Sequence, residues 1–224
     1  LGSYTLTAGN LSYQSYSGVI SGTGSFTKIG AGDLELSGAN TYTGQLNIND
    51  GNLSVSGSLS DSTDVVIGSS GVYELGASDT VSSISGAGEI SLGSYTLTAG
   101  NSSNQSYSGM ISGTGNFTKS GTGSLTLSGE NKYTGDTSID GGSLVVSGGL
   151  SDSTDVVVAS SGSYELGARD GVSSISGSGE IKLGSYRLTA GNSSNQSYSG
   201  VISGTGEFAK SGTGSLTLSG ANTY

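Results

Sequence analysis

Apolar and polar residues alternate along this chain in short bursts. Tyr4-Thr-Leu6, Leu34-Glu-Leu36, Leu46-Asn-Ile48, Leu53-Ser-Val55, Tyr73-Glu-Leu75 and Ile90-Ser-Leu92 each set two hydrophobic side chains one residue apart. A period of two sends successive side chains to opposite faces, so these runs predict half-buried strands of about five residues. They recur roughly every nine or ten residues, separated by Gly, Ser, Asn and Asp, which make turns and accept positive φ. Nothing carries the 3.6-residue period of a helix.

The rhythm is itself repeated. Leu1-Gly-Ser-Tyr-Thr-Leu-Thr-Ala-Gly-Asn10 returns at Leu92 and, with one change, at Leu183, a spacing of 91 residues. Copies at fixed spacing predict stacked units that bury apolar faces on one another rather than in separate cores. The pattern therefore predicts an all-β solenoid, with three strands per coil and three to five coils of about 20 to 27 residues in each copy. At the inter-strand spacing of about 4.8 Å, one copy extends the rod by roughly 15–24 Å and the chain measures some 40–60 Å. No linker or change of composition divides it. Residues 1–224 read as one continuous unit of copies 1–91, 92–182 and a truncated 183–224. Both ends read as cuts through a longer protein, since neither carries a polar capping coil.

Composition agrees with thin buried layers. Glycine supplies 42 of 224 residues and the hydrophobic fraction is 32%, below the roughly 45–50% of an ordinary globular domain. Such a fraction suits a coil that contributes only a few inward side chains while its backbone bonds to the coils above and below.

The strongest local signal occurs three times. It runs Gly22-Thr-Gly24-Ser-Phe26-Thr-Lys28-Ile-Gly30-Ala-Gly32-Asp-Leu34-Glu-Leu36-Ser-Gly38-Ala-Asn40-Thr-Tyr42-Thr-Gly44. It returns through Phe117, Lys119, Leu125, Leu127, Asn131, Tyr133 and Gly135, and again through Phe208, Lys210, Leu216, Leu218, Asn222 and Tyr224. This closely resembles the passenger-associated repeat of bacterial type V autotransporters, the adhesins of the AIDA and antigen 43 kind. The resemblance implies a right-handed parallel β-helix, exported and displayed on a Gram-negative cell surface or secreted. Its copies are more alike than successive coils of that family usually are.

The residues of the motif have their own physical reading. Phe26, Leu34 and Leu36 alternate with polar neighbours and point inward. Asn40, Asn131 and Asn222 sit where an amide can bond the turn backbone, and read as turn staples. Lys28, Lys119 and Lys210 read as surface charges, solvated or paired with carboxylates. Tyr16, Tyr107 and Tyr198 lie in Ser, Asn and Gln-rich stretches. They are candidate contact residues for sugars or for a second rod, or else cover the solenoid edge. Tyr42 and Tyr133 read as buried.

Other chemistry is poorly supported. The chain has no His and no Cys, which removes a His-bearing triad, a thiol nucleophile and ordinary zinc sites. Asp61 with Asp64, and Asp152 with Asp155, form the best carboxylate pairs, but each precedes a strand and reads as a solvated turn. Asn47-Ile-Asn-Asp-Gly51 lacks the closing Glu of a calcium loop. Thr5-Leu-Thr7 and Thr96-Leu-Thr98 suggest a threonine ladder, broken by Arg187. A net charge of −10 argues against nucleic acid and anionic membranes, and no run is long enough to span a bilayer. The expectation is a non-enzymatic rod without cofactor or metal, in an extracellular adhesin. Its expected partners are its own neighbouring repeats, other copies, or host and matrix surfaces including glycans. The alternative is a purely structural extracellular fibre.

Overall fold

The computed structural model describes residues 1–224 and contains strands but no helix. Every strand pairing is parallel. Paired residues stand 17 to 21 positions apart, as in Tyr73↔Ile90, Leu6↔Phe26 and Gly86↔Tyr107. Each coil therefore lies directly on the last, and about eleven coils form the solenoid.

Three columns of paired strands run up the rod. Leu6, Phe26, Leu46, Val65 and Ile84 follow one another on the first face. Leu34, Leu53, Tyr73, Ile90 and Ile111 do so on the second. Asp79, Leu97, Phe117, Thr137, Val156 and Ile175 do so on the third. Alternation sends these side chains inward, and 42 buried hydrophobic residues fuse into a single cluster. That continuity explains how a chain so poor in apolar residues folds, since each inward side chain packs against coils on both sides.

The long period and the coil are out of step. The pairing Leu6↔Phe26 lies on the first face, its copy Leu97↔Phe117 on the third, and Leu188↔Phe208 in a further sheet that begins with Asp170. Four coils separate Leu6 from Ile84, and two more faces lead to Leu97. One copy thus makes four and two-thirds coils of about 19.5 residues, a rise of roughly 22 Å. Each copy is turned by one face relative to the copy before it.

Turn geometry depends on glycine at particular points. Tyr95 N–H bonds back to Leu92 C=O at 2.9 Å, closing a Leu-Gly-Ser-Tyr turn in which Gly93 has φ +55°. In the next coil, a Cβ on Gly115 would stand 1.9 Å from Tyr95 O. Stacked turns at this corner leave no room for a side chain.

Candidate functional surface

The asparagines sit in the turns of the repeat motif and bond across coils. Asn40 Oδ1 accepts from Ile20 N–H at 3.0 Å, while Nδ2 donates to Gly38 O at 2.8 Å and Ser58 O at 3.2 Å. Asn131 Nδ2 donates to Gly129 O and Gly149 O, and Asn222 links Ile202 N–H to Gly220 O. Asn40 and Asn131 are buried, so their amides face backbone rather than a partner.

Two of the three candidate contact tyrosines are not at the surface. Tyr107 and Tyr198 are fully buried, with hydroxyls donated to Gly88 O at 2.6 Å and Gly179 O at 2.8 Å. They occupy inward positions of their strands, where no partner outside the rod can reach them. Tyr16 is 48% exposed, because its coil has a neighbour on one side only. The tyrosines exposed in every copy are instead Tyr4, Tyr95 and Tyr186, at the Leu-Gly-Ser-Tyr corner. Their hydroxyls make no bond within the chain.

The lysines also depart from expectation. Lys28 and Lys119 are buried, pointing inward like Phe26 and Phe117 one alternation earlier in the same strands. Lys28 Nζ donates to Ile29 O (3.1 Å), Gly30 O (2.6 Å) and Asp50 O (2.9 Å). Lys119 Nζ donates to Ser120 O, Gly121 O and Gly141 O. Each ammonium fastens its own turn to the turn of the next coil. Burial lowers the pKa of both, opposed at Lys28 by Asp50 and Asp33. Lys210 makes two such bonds and is exposed.

Of the carboxylate pairs, Asp61, Asp64 and Asp152 are exposed and Asp155 is half-buried. Asp64 and Asp155 accept from the hydroxyls of Ser83 (2.6 Å) and Ser174 (2.8 Å) on the next coil. The buried carboxylates are Asp79 and Asp170. Asp79 accepts from Tyr73 OH at 2.7 Å and from the N–H groups of Leu59 and Thr80, and Asp170 repeats this with Tyr164, Leu150 and Gly171. Burial raises the pKa of both, against those hydrogen bonds. The sequence held a signal for them, because Asp79 alternates with Val81 on the inward side.

The surface is where the copies differ. Between the first and second, every substitution but two, Leu46/Thr137 and Ile67/Val158, lies outside the buried core. Every substitution between the second and third does so as well. Charges arrive together: Glu130 and Lys132, 3.1 Å apart, stand where the other copies have Ala39 with Thr41 and Ala221 with Thr223. Arg187 and Glu207, 3.8 Å apart, replace Thr96 and Asn116.

A parallel solenoid that repeats one strand-turn-strand motif in each copy has the architecture of an autotransporter passenger. A family model described as Passenger-associated-transport-repeat matches residues 26–55, 117–146 and 208–224, the same segment of each copy. The chain is 36% identical, over 251 aligned residues, to the "Adhesin BmaC autotransporter" of Brucella suis biovar 1 (strain 1330). That alignment covers 99% of this chain and 7% of the adhesin, so the chain spans under a tenth of that relative's length. No solved structure matches. Both similarities support an autotransporter passenger, and indicate a protein of the cell surface or the secreted fraction.

Proposed function

We propose that this segment is a rigid, non-catalytic rod within a surface adhesin, holding many weak contact sites for cell–cell or matrix attachment. The observation that carries this reading is the division of change between copies, with the inward side chains held almost fixed and the outward ones varied. A continuous core makes the rod stiff, and repetition raises avidity without a strong single site. The rotation between copies adds a geometric feature. Equivalent outward residues face successive sides, so a flat partner meets one copy in three, roughly 67 Å apart along the rod. The similarity to an autotransporter named as an adhesin supports the adhesive reading.

Surface display provides the test. Cells carrying this segment on an outer-membrane anchor are compared with cells carrying the anchor alone, for clumping and for attachment to extracellular matrix. A gain in either that grows with the number of copies is expected. No gain in both reduces the segment to a spacer.

A further inference from the structure

The chain contains two arginines, Arg169 and Arg187, and the fold sets them side by side. Asp170 pairs with Leu188, so the residues just before them stand on neighbouring coils, about 4.8 Å apart along the rod. Asp170 and Leu188 are buried, and alternation turns both arginines outward. One copy earlier these positions hold Ser78 and Thr96, joined by a 3.1 Å bond from Thr96 N–H to the Ser78 hydroxyl. Replacing that neutral pair by two adjacent cations is unfavourable for the fold alone. Glu207 compensates only in part. Its carboxylate is 3.8 Å from Arg187 Nε, which has no hydrogen-bond partner, and Arg169 has no ion pair.

An open groove of about 590 Å³ adjoins Arg169, which lines it with Asp152, Asp170, Gly171, Thr189 and Ser211. On its floor Gly171 replaces the Thr80 of the first copy, and the Asp152 carboxylate takes the place of a side chain there, 2.5 Å from where a Cβ would stand. Tyr186, directly before Arg187, is 41% exposed and rests against Gly184, 3.7 Å from where a Cβ would stand. The cation pair thus has an exposed aromatic residue beside Arg187 in the chain and a polar groove beside Arg169, and this combination occurs once.

We propose that Arg169, Arg187 and Tyr186, with the groove beside Arg169, bind an anionic oligosaccharide. Its carboxylate or sulfate meets the two guanidinium groups, one sugar unit stacks on Tyr186, and the hydroxyls of a further unit along the strand meet Thr189, Ser211 and the Asp152 carboxylate. The acidic remainder of the rod does not preclude this, because at physiological salt exposed charges beyond about 8 Å are largely screened. It does disfavour a long polyanion, which needs a basic track. The assignment rests on the rod's display outside the cell.

Calorimetry on the purified chain at physiological salt tests it with three oligosaccharides: one bearing only uronic carboxylates, one only sulfates, and a neutral dextran fragment. Binding of one or both anionic sugars but not the neutral one is expected, and the two anionic arms identify the group recognised. Arg169→Gln with Arg187→Gln should weaken binding by about tenfold or more, Tyr186→Ser should weaken it and Tyr186→Phe should not. Glu207→Gln should tighten it, a gain that a structural role for the arginines does not produce. Lys132→Gln, elsewhere on the rod, should change nothing. Absence of binding to both anionic sugars, equal binding of the neutral one, or full binding by a folded double-arginine variant overturns the proposal. Displayed cells separate the two readings: adhesion that survives loss of both arginines counts against this site and leaves the adhesive rod standing.

Discussion

The hydroxyls of Tyr133 and Thr137 lie 2.5 Å apart inside the core, whereas the equivalent Tyr42, equally buried, faces Leu46 and has no partner for its hydroxyl. One chain thus holds the same tyrosine satisfied and unsatisfied. An unmatched buried polar group costs about 1–3 kcal/mol. Tyr42→Phe should therefore be neutral or stabilising, while Tyr133→Phe strands the Thr137 hydroxyl and should cost about 1–2 kcal/mol. Urea midpoints of the two variants measure the difference directly, and equal midpoints would refute this account of the pair.

The buried Asp79 and Asp170 give stability a definite pH dependence. Their folded pKa values are raised by burial above the ordinary 3.8. Below that value both folded and unfolded states hold the proton. Between it and the folded pKa the native state binds more protons, so stability falls as pH rises through that window. Glu35 acts oppositely, because hydrogen bonds from Ser56 and Tyr13 lower its pKa, and its contribution is lost as pH falls. The double variant Asp79→Asn, Asp170→Asn isolates the first effect. An amide oxygen still accepts from Leu59 and Leu150, and the tyrosine hydroxyls can turn to accept from the amide. Denaturant midpoints from pH 3.5 upward should fall less steeply in the double variant than in the native chain. Parallel curves would remove these two groups as the cause.

The strands and turns were legible because alternation is local: Leu34-Glu-Leu36 shows its inward side without reference to any other segment. Lys28, Tyr107 and Asp79 were harder, and for one reason. Each sits at an inward position by alternation, yet a charge or a polar neighbourhood suggests the surface. The partners that make burial tolerable, Asp50 O for Lys28, Gly88 O for Tyr107 and Leu59 N–H for Asp79, come from adjacent coils about twenty residues away. The stacking of Arg169 on Arg187 was hidden similarly, because it depends on where 91 residues fall on a coil of about 19.5. That phase follows from strand register, which the sequence pattern bounds only loosely.

The rotation of one copy against the next is measurable in solution. The chain has no cysteine, so single thiols can be introduced for spin labels without a background. Thr27 and Val66 share a face two coils apart, through Asn47, and labels there should lie roughly 10 Å apart along that face. Thr27 and Thr118 are equivalent residues of successive copies on different faces. Their labels should be separated by clearly more than the axial rise of about 22 Å. A separation equal to that rise would place all copies on one face and undo the one-in-three spacing of contacts.

The buried ammonium groups should matter more than their number suggests. Lys119→Met keeps the aliphatic stem in the core and removes the three bonds to Ser120 O, Gly121 O and Gly141 O. Those carbonyls belong to stacked turns whose backbone cannot turn away, so the loss should cost about 1–3 kcal/mol. Lys210→Met removes two bonds from an exposed side chain and should cost less. The effect should also be local, since only Lys119 ties the Ser120–Gly121 turn to Gly141. Amide hydrogen exchange in Lys119→Met should accelerate first at that corner, with the first-copy turn around Lys28 unchanged. Uniform acceleration along the rod would show that the ammonium stabilises the fold as a whole rather than clamping one turn to the next.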